Sequence, residues 1–198
     1  MSHYFDPSPG TPSRPRQVEL KVPGLTAALT SDRGVFSGGG VDPGTVELLK
    51  AVPTGPDPAG PILDLGCGYG PIAVTLAARC PASTVWAVDV NTRAVELTAA
   101  NAAALGLANV RAVAPAGVPE GLTFEQIWSN PPIRIGKAAL HDLLGRWLPR
   151  LAPGGTAWMV VQKNLGSDSL ADWMRDSGFA VVRLGSRKGY RILQVRPG

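Results

Sequence analysis

Leu63-Asp64-Leu65-Gly66-Cys67-Gly68-Tyr69-Gly70, followed further on by Ala87-Val88-Asp89-Val90-Asn91, is the pair of segments that decides how this chain folds. The apolar run beginning at Ile62 stops in alternating glycines, which reads as a buried strand closing in a tight turn. Gly66, Gly68 and Gly70 let the backbone bend sharply and approach a ligand with no Cβ in the way. The second run, Val85 to Val90, is a strand with an acid near its end. In an open α/β sheet, ligands bind beyond the carboxyl ends of the strands. Asp64, Gly66, Cys67, Gly68, Gly70, Asp89 and the adjacent Val90 are therefore candidate binding residues.

The spacing excludes two common nucleotide sites. The dinucleotide fingerprint needs a third glycine where this chain has Pro71, and the loop lacks the Gly-Lys-Ser/Thr of a P-loop. Asp89 stands 23 residues after Gly66, where a strand-end acid can accept hydrogen bonds from both ribose hydroxyls of an adenosyl group. Its other use, capping the next helix, is already met by Asn91.

Working outward, the same rhythm continues. Ile72 to Arg79 reads as a helix, and Asn91 to Leu105 as an Ala-rich helix ended by Gly106. Strands follow at Val110 to Ala114 and at 124–129. A helix is expected from Gly136 to Leu151, closed by Pro153-Gly154-Gly155, then a strand over 156–162 and a helix from Ser167 to Ser177. Two last strands, 179–185 and 190–195, are joined only by Ser186-Arg187-Lys188-Gly189, which predicts an antiparallel hairpin at the sheet edge. Strands alternating with helices indicate an α/β fold with a doubly wound, mostly parallel sheet. Ahead of it, Gln17 to Val22 alternates, turns at Pro23-Gly24 and continues through Leu29 as a small hairpin. A glycine-rich loop (31–45) then leads into a short helix from Thr45 to about Val52. The domain reading is a flexible arm over 1–16 and a single domain over 17–198. Within it, 17–60 forms the hairpin, loop and helix, and 61–198 the core; the tract 53–61 reads as irregular.

Composition bounds the class. The chain has 198 residues, 44% of them apolar, enough to bury one sizeable core. Ten of its 19 prolines lie at or before Pro61, so the irregular part is concentrated at the front. No run of 18 apolar residues exists, which excludes a membrane-spanning helix. The first ten residues show neither half of a secretory signal, and Cys67 and Cys80 are too few for a disulfide scaffold or Cys-rich zinc site. The expected compartment is the cytoplasm. His3 and His141 stand alone, and no metal is expected.

The fourth core strand ends Ser129-Asn130-Pro131-Pro132-Ile133-Arg134. Two prolines fix φ and remove two donors. They are expected to leave backbone carbonyls pointing outward as rigid acceptors beside the Asn130 side-chain carbonyl. Methylation of an exocyclic base amine needs such acceptors, because its nitrogen lone pair is delocalised into the ring. The work is then positioning and electrostatics rather than general base catalysis. Asn130, Pro131, Pro132 and Ile133 are the candidate catalytic residues. The alternative is a plain turn.

Asp-Leu-Gly-Cys-Gly-Tyr-Gly followed by Ala-Val-Asp-Val-Asn resembles the class I S-adenosylmethionine-dependent methyltransferases. The resemblance implies S-adenosylmethionine as cofactor, with the glycine loop against its methionine and ribose and Asp89 on the ribose. It also implies a seven-stranded Rossmann-like sheet with a terminal antiparallel strand. The class often has an acid after the third strand to meet the adenine amine. Here Ala114-Pro115-Ala116-Gly117 stands there, so adenine is left to backbone groups and apolar packing around Ala114. The Asn-Pro-Pro segment is similar to the Asn-Pro-Pro-aromatic signature of amino methyltransferases, with Ile133 in place of the aromatic. His3-Tyr4-Phe5, Gly34-Val35-Phe36-Ser37, Val41-Asp42-Pro43-Gly44-Thr45, Ser129 to Ile133 and Val160 to Gly166 together resemble the ribosomal RNA guanine-N2 methyltransferases. That likeness implies Phe36 and Ser37 near the methyl donor, Asn130-Pro131-Pro132 on a guanine amine, and a catalytic domain alone. From the residues alone, Phe36 fits equally a core plug under a glycine loop. Other targets stay open: adenine N6, a protein glutamine, a small amine, or a non-catalytic RNA-binding module.

The net charge is +4 and its excess is uneven. Five bases and no acid follow Ser177, and five bases face one acid between Arg134 and Lys163. A basic face suits a phosphate-rich partner such as ribosomal RNA or a ribosomal subunit, and equally a solvated surface. Arg134 and Lys137 flank the Asn-Pro-Pro loop. Gln162, Lys163 and Asn164 leave the fifth core strand on the same edge. Arg187 and Lys188 occupy the last hairpin turn. These are the candidate RNA contacts.

Overall fold

The computed structural model describes residues 11–37, 39–52, 58 and 60–198. His3-Tyr4-Phe5 and most of the 53–61 tract lie outside them. The first two strands, β1 (Arg16–Val22) and β2 (Leu25–Ser31), form the expected hairpin around Pro23-Gly24. Val18, Leu20 and Val22 alternate inward as a one-sided strand must. Ahead of β1, Ser13 Oγ and the Arg14 N–H donate to the buried Asp32 carboxylate (2.6 and 2.5 Å).

The core then alternates strands and helices: α1 (Pro43–Ala51), β3 (Ile62–Leu65), α2 (Pro71–Arg79), β4 (Val85–Val88), α3 (Thr92–Ala104), β5 (Val110–Val113), β6 (Phe124–Ser129), α4 (Lys137–Trp147), β7 (Leu151–Gln162), α5 (Ser167–Asp176), β8 (Phe179–Arg187) and β9 (Tyr190–Pro197). The seven core strands make one sheet in the order β5-β4-β3-β6-β7-β9-β8. From β5 through β7 the pairs are parallel, and β9 is antiparallel to both neighbours. The doubly wound sheet and its edge hairpin are thus as the sequence implied.

Every residue of β3 is buried, as an interior strand of a parallel sheet covered on both faces requires. The hairpin, α1, α2 and α3 pack on one face around Leu48, Leu76 and Trp128. Helices α4 and α5 pack on the other around Leu144, Trp147, Met159 and Met174. The order reverses between β4-β3 and β3-β6, so the carboxyl ends of β3 and β6 flank the switch point where a ligand is expected.

Several boundaries differ from the sequence reading; among them, β8 runs on to Arg187 and leaves only Lys188-Gly189 in the edge-hairpin turn. Helix α1 begins at Pro43, because Asp42 caps it by accepting from Thr45 N (3.1 Å) and proline suits the first turn. Helix α4 stops at Trp147, ahead of Pro149, and Pro153-Gly154-Gly155 lies inside β7 as a bulge where the pairing jumps from Phe124↔Leu151 to Gln126↔Thr156. Gly155 belongs there for close approach: a Cβ on it would sit 3.0 Å from the Phe124 carbonyl oxygen.

Candidate active site

Gly66, Gly68 and Gly70 all have positive φ, and the turn they form is held from both sides. Gly66 N and Cys67 N donate to Val88 O (2.8 and 3.1 Å), and Gly68 N donates to Asp89 Oδ2 (3.0 Å). Thr98 Oγ1 of α3 donates to Gly68 O (3.0 Å). Asn101 Nδ2 donates to Tyr69 O (2.8 Å) and to Thr30 O (2.9 Å), which ties the N-terminal hairpin to the same turn. Thr98 and Asn101 were not identified from the sequence; in an Ala-rich helix they are its polar positions facing the turn.

The two acids behave differently. Asp89 is 9% exposed; its Oδ1 accepts from Asn91 N (3.0 Å), while Asn91 itself caps α3. Burial raises its pKa, opposed by hydrogen bonds from Asn91, Gly68 and Val90. A carboxylate offers about four acceptor sites, so acceptor capacity remains beyond these three bonds. Asp64 is fully buried, with Oδ2 accepting from Ala73 N (2.9 Å) and Oδ1 without a partner. Burial, helped by the charge of Asp89, pushes its pKa up to about 8. Cys67 is a buried thiol whose pKa is pushed up by burial and by both acids, so it packs rather than reacts.

An open cleft of about 330 Å³ lies above the turn, lined by Phe36, Ser37, Asp42, Thr45, Gly66, Cys67, Gly68, Tyr69, Pro71, Ile72 and Asn130. Five of the expected cofactor residues (Phe36, Ser37, Gly66, Cys67 and Gly68) and the expected catalytic Asn130 therefore line one cleft. Asp64, Gly70 and Asp89 form or brace the turn without lining the cleft. Val90, Ala114, Pro131, Pro132 and Ile133 are not among the lining residues. Described residues on either side of Phe36 and Ser37, which line the cleft, are tied down by hydrogen bonds. Arg93 bonds Arg33 O (2.7 Å), Asn91 Nδ2 bonds Gly34 O (2.7 Å), and Ser37 Oγ bonds Gly40 O (2.7 Å).

Asn130 is oriented by contacts distant in sequence. Its Nδ2 donates to Asp42 Oδ1 (2.7 Å) and Thr45 Oγ1 (3.0 Å). A carboxylate can only accept, so the amide cannot be turned the other way, and Oδ1 is left as the remaining acceptor. Asp42 and Thr45 escaped sequence reading because their partner lies 88 and 85 residues away; the signal was the Asp-Pro-Gly-Thr cap. Gly44 is required between them, since a Cβ there would meet Tyr190 Cε1 at 2.7 Å and Asp42 Oδ1 at 2.9 Å. For Asp42→Asn, which caps a helix as well as Asp does, the melting temperature should be nearly unchanged. With the amide of Asn130 no longer locked, turnover at saturating cofactor should fall on the order of 10-fold. A matched loss of stability and turnover would make Asp42 a cap alone.

The proline carbonyls depart from expectation. Ile133 N donates to Pro131 O (2.8 Å) and Ile135 N to Pro132 O (3.0 Å), so both are partly used in local turns. With φ −75° and ψ 73°, Pro132 makes an inverse γ-turn. Each carbonyl keeps one lone pair, and Asn130 Oδ1 is the acceptor with no bond to another described residue. Ile133 is half-buried against the α4–α5 core.

The proposed RNA contacts divide. Lys163 N donates to Gly189 O (2.7 Å), bringing the end of β7 against the β8–β9 turn. Arg134, Lys137, Gln162, Lys163, Asn164 and Arg187 are exposed along that carboxyl edge. Lys188 instead reaches the buried Glu47 of α1 (3.0 Å). Among the other bases, Arg150 is structural, donating to Leu122 O and Pro119 O and lying over Phe124 and Trp147. Arg183 and Arg191 both reach Asp168. His141 stacks on Trp173 with ring centroids 4.0 Å apart. Among the described residues, no group of His, Cys, Asp and Glu could hold a metal ion.

These residues fit a sulfonium cofactor bearing an amino-acid group and a ribose. The unpartnered Asp64 Oδ1 is an acceptor suited to a cationic group, and a Cβ on Gly68 would point into open space. Asp89 retains acceptor capacity for hydroxyls. The comparisons agree. The family model "Methyltransferase small domain" matches residues 26–194. The Bacillus subtilis "Uncharacterized protein YbxB" is 34% identical over 197 residues, covering 98% of both chains. The Salmonella typhi "Ribosomal RNA small subunit methyltransferase C" is 30% identical, covering 90% of this chain and 52% of that protein. A solved structure, "T. Thermophilus 16S rRNA N2 G1207 methyltransferase (RsmC) in complex with AdoMet and Guanosine", superposes with a TM-score of 0.80 at 27% identity, covering 94% of this chain and 52% of that one. The chain thus spans about half the length of these ribosomal RNA methyltransferases. With this fold, this turn and these matches, the chain belongs to the methyltransferase small-domain family and is a class I S-adenosylmethionine-dependent methyltransferase.

Proposed function

We propose that this chain methylates the exocyclic N2 of a guanine in small-subunit ribosomal RNA. The observation that carries this reading is the locked Asn130 amide, whose Oδ1 has no partner among the described residues and which lines the same cleft as the glycine turn. An acceptor held on one amine N–H favours the geometry in which the nitrogen lone pair can attack, and because it is pre-oriented it costs no reorganisation. The bound cofactor supplies an electrophilic methyl group on sulfur. In this reading Asp89 holds ribose hydroxyls, Asp64 the amino-acid ammonium, and the exposed Arg134, Lys137, Lys163 and Arg187 the RNA phosphates. Such contacts position without reading sequence. The proton on nitrogen leaves after transfer, so no residue is needed as a tuned base. The names of the relatives direct the choice of guanine and of ribosomal RNA.

The raised pKa of Asp64 makes a prediction about binding. Burial favours the protonated carboxyl in the folded, unliganded protein, with its pKa pushed up to about 8, and an incoming ammonium favours the ionised form. Cofactor affinity should therefore rise with pH from 6 to 8, toward tenfold per pH unit, with proton release on binding, and flatten above. Folding carries the opposite sign. A raised acid pKa favours the folded state most below its unfolded value, and that contribution is lost as pH climbs through about 8. Titration calorimetry across this range in two buffers of different ionisation enthalpy checks it. A flat affinity, or a profile unchanged in Asp64→Asn, removes Asp64 from the ammonium site. The acceptor class is tested by offering labelled S-adenosylmethionine with small subunits, large subunits and bulk protein from cells lacking the gene. Label confined to small-subunit RNA supports the reading, and label in protein overturns it.

A further inference from the structure

We propose that Phe36 is the stacking platform for the base whose amine Asn130 accepts, taking the part an aromatic residue at position 133 would otherwise play; this rests on the guanine reading above. Phe36 is 56% exposed, although burying a large apolar ring is among the strongest favourable terms available to a chain of this size. It is not the core plug that its glycine-rich surroundings suggest. It is held out by a short turn. Ser37 adopts φ +55°, left-handed for a residue with a Cβ, and is pinned there by Ser37 Oγ to Gly40 O (2.7 Å) and Gly40 N to Ser37 O (3.1 Å). Strain of this kind persists where the surroundings over-determine it, commonly at ligand sites.

The cleft that Phe36 borders tells which ligand it meets. It shares that cleft with Asn130, Asp42 and Thr45, the amine-holding group, and not with Val90 or Ala114, where the cofactor adenine is expected. The cofactor portion over Gly66 and Gly68 is then its amino-acid chain, which has no ring to stack on. Ile133 packs against the α4–α5 core and leaves the base without an aromatic face on that side. Trp128 is fully buried and Tyr69 nearly so. Phe36 thus offers the exposed aromatic face beside the acceptor. Base-on-aromatic stacking is tolerant of sequence, so it would hold an unstacked purine while Asn130 selects the amine.

The test separates base from cofactor. In Phe36→Leu, which keeps apolar bulk, the KM for small-subunit RNA should rise on the order of 10-fold, while S-adenosylmethionine affinity by calorimetry stays within about 2-fold. Phe36→Tyr should restore most of the loss. In Phe36→Trp, guanosine added with S-adenosylhomocysteine should quench emission beyond the change in the unmodified protein. A cofactor affinity that falls in step with the KM, or an unchanged KM and no added quenching, overturns the proposal. If the unmodified enzyme places its label on adenine instead, the guanine reading fails, and the KM split in Phe36→Leu still decides whether the ring stacks on the base.

Discussion

Asn130→Ala should reduce turnover on the order of 10²–10³-fold, the usual cost of removing one pre-oriented polar group from a transition state. Cofactor affinity should stay within about 3-fold, because Asn130 contributes one wall of the cleft and none of the bonds that hold the glycine turn. The separation follows from topology. The amide hangs from the end of β6 and is oriented by α1 through Asp42 and Thr45, whereas the turn is held by β4 and α3. Removing the side chain leaves Asp42 with its cap to Thr45 N, so stability should change little. Steady-state turnover with an RNA acceptor, beside calorimetric cofactor binding, reads both quantities. Equal loss of the two would show that Asn130 shapes the cofactor pocket rather than holding the amine.

The second large effect is on affinity. Asp89→Ala should weaken S-adenosylmethionine binding on the order of 100-fold, while kcat at saturation falls far less. Hydrogen bonds to a charged group contribute about 1.5–3 kcal/mol each, and two ribose hydroxyls are at stake. The same change leaves the Gly68 and Asn91 N–H groups without their acceptor, which loosens the turn itself. Asp89→Asn separates the contributions: it keeps an acceptor oxygen and removes the charge, so its loss should be intermediate. Unchanged affinity in Asp89→Ala would remove Asp89 from the ribose site.

Local pattern carried much of the sequence reading. Buried strands such as Ile62–Leu65 announce themselves by short, mostly apolar runs closed by glycines, and helix ends by Asn91 and Gly106, because these signals act within a few residues. The sheet's edge hairpin was legible for the same reason: the four residues expected between the two strands, two in the structure, leave only a tight reversal. What failed was tertiary. Pro153-Gly154-Gly155 looks like a helix stop, yet the stop belongs to Pro149 and the glycines form a bulge opposite Phe124. The Pro131 and Pro132 carbonyls looked free, but whether a carbonyl is free depends on the turn that follows. Lys188 looked like a free base until α1 supplied Glu47. The clamp of Asp42 on Asn130 joins segments with no shared periodicity, and only the fold brings them together.

The nitrogen that receives the methyl group is the central claim, and its identity can be read directly. Small-subunit RNA from cells lacking the gene would be incubated with labelled S-adenosylmethionine and this protein, digested to nucleosides and resolved by mass. The account predicts label in N2-methylguanosine, absent when Asn130→Ala replaces the unmodified enzyme. Label in N6-methyladenosine, in a ribose methyl or in no nucleoside at all would contradict it.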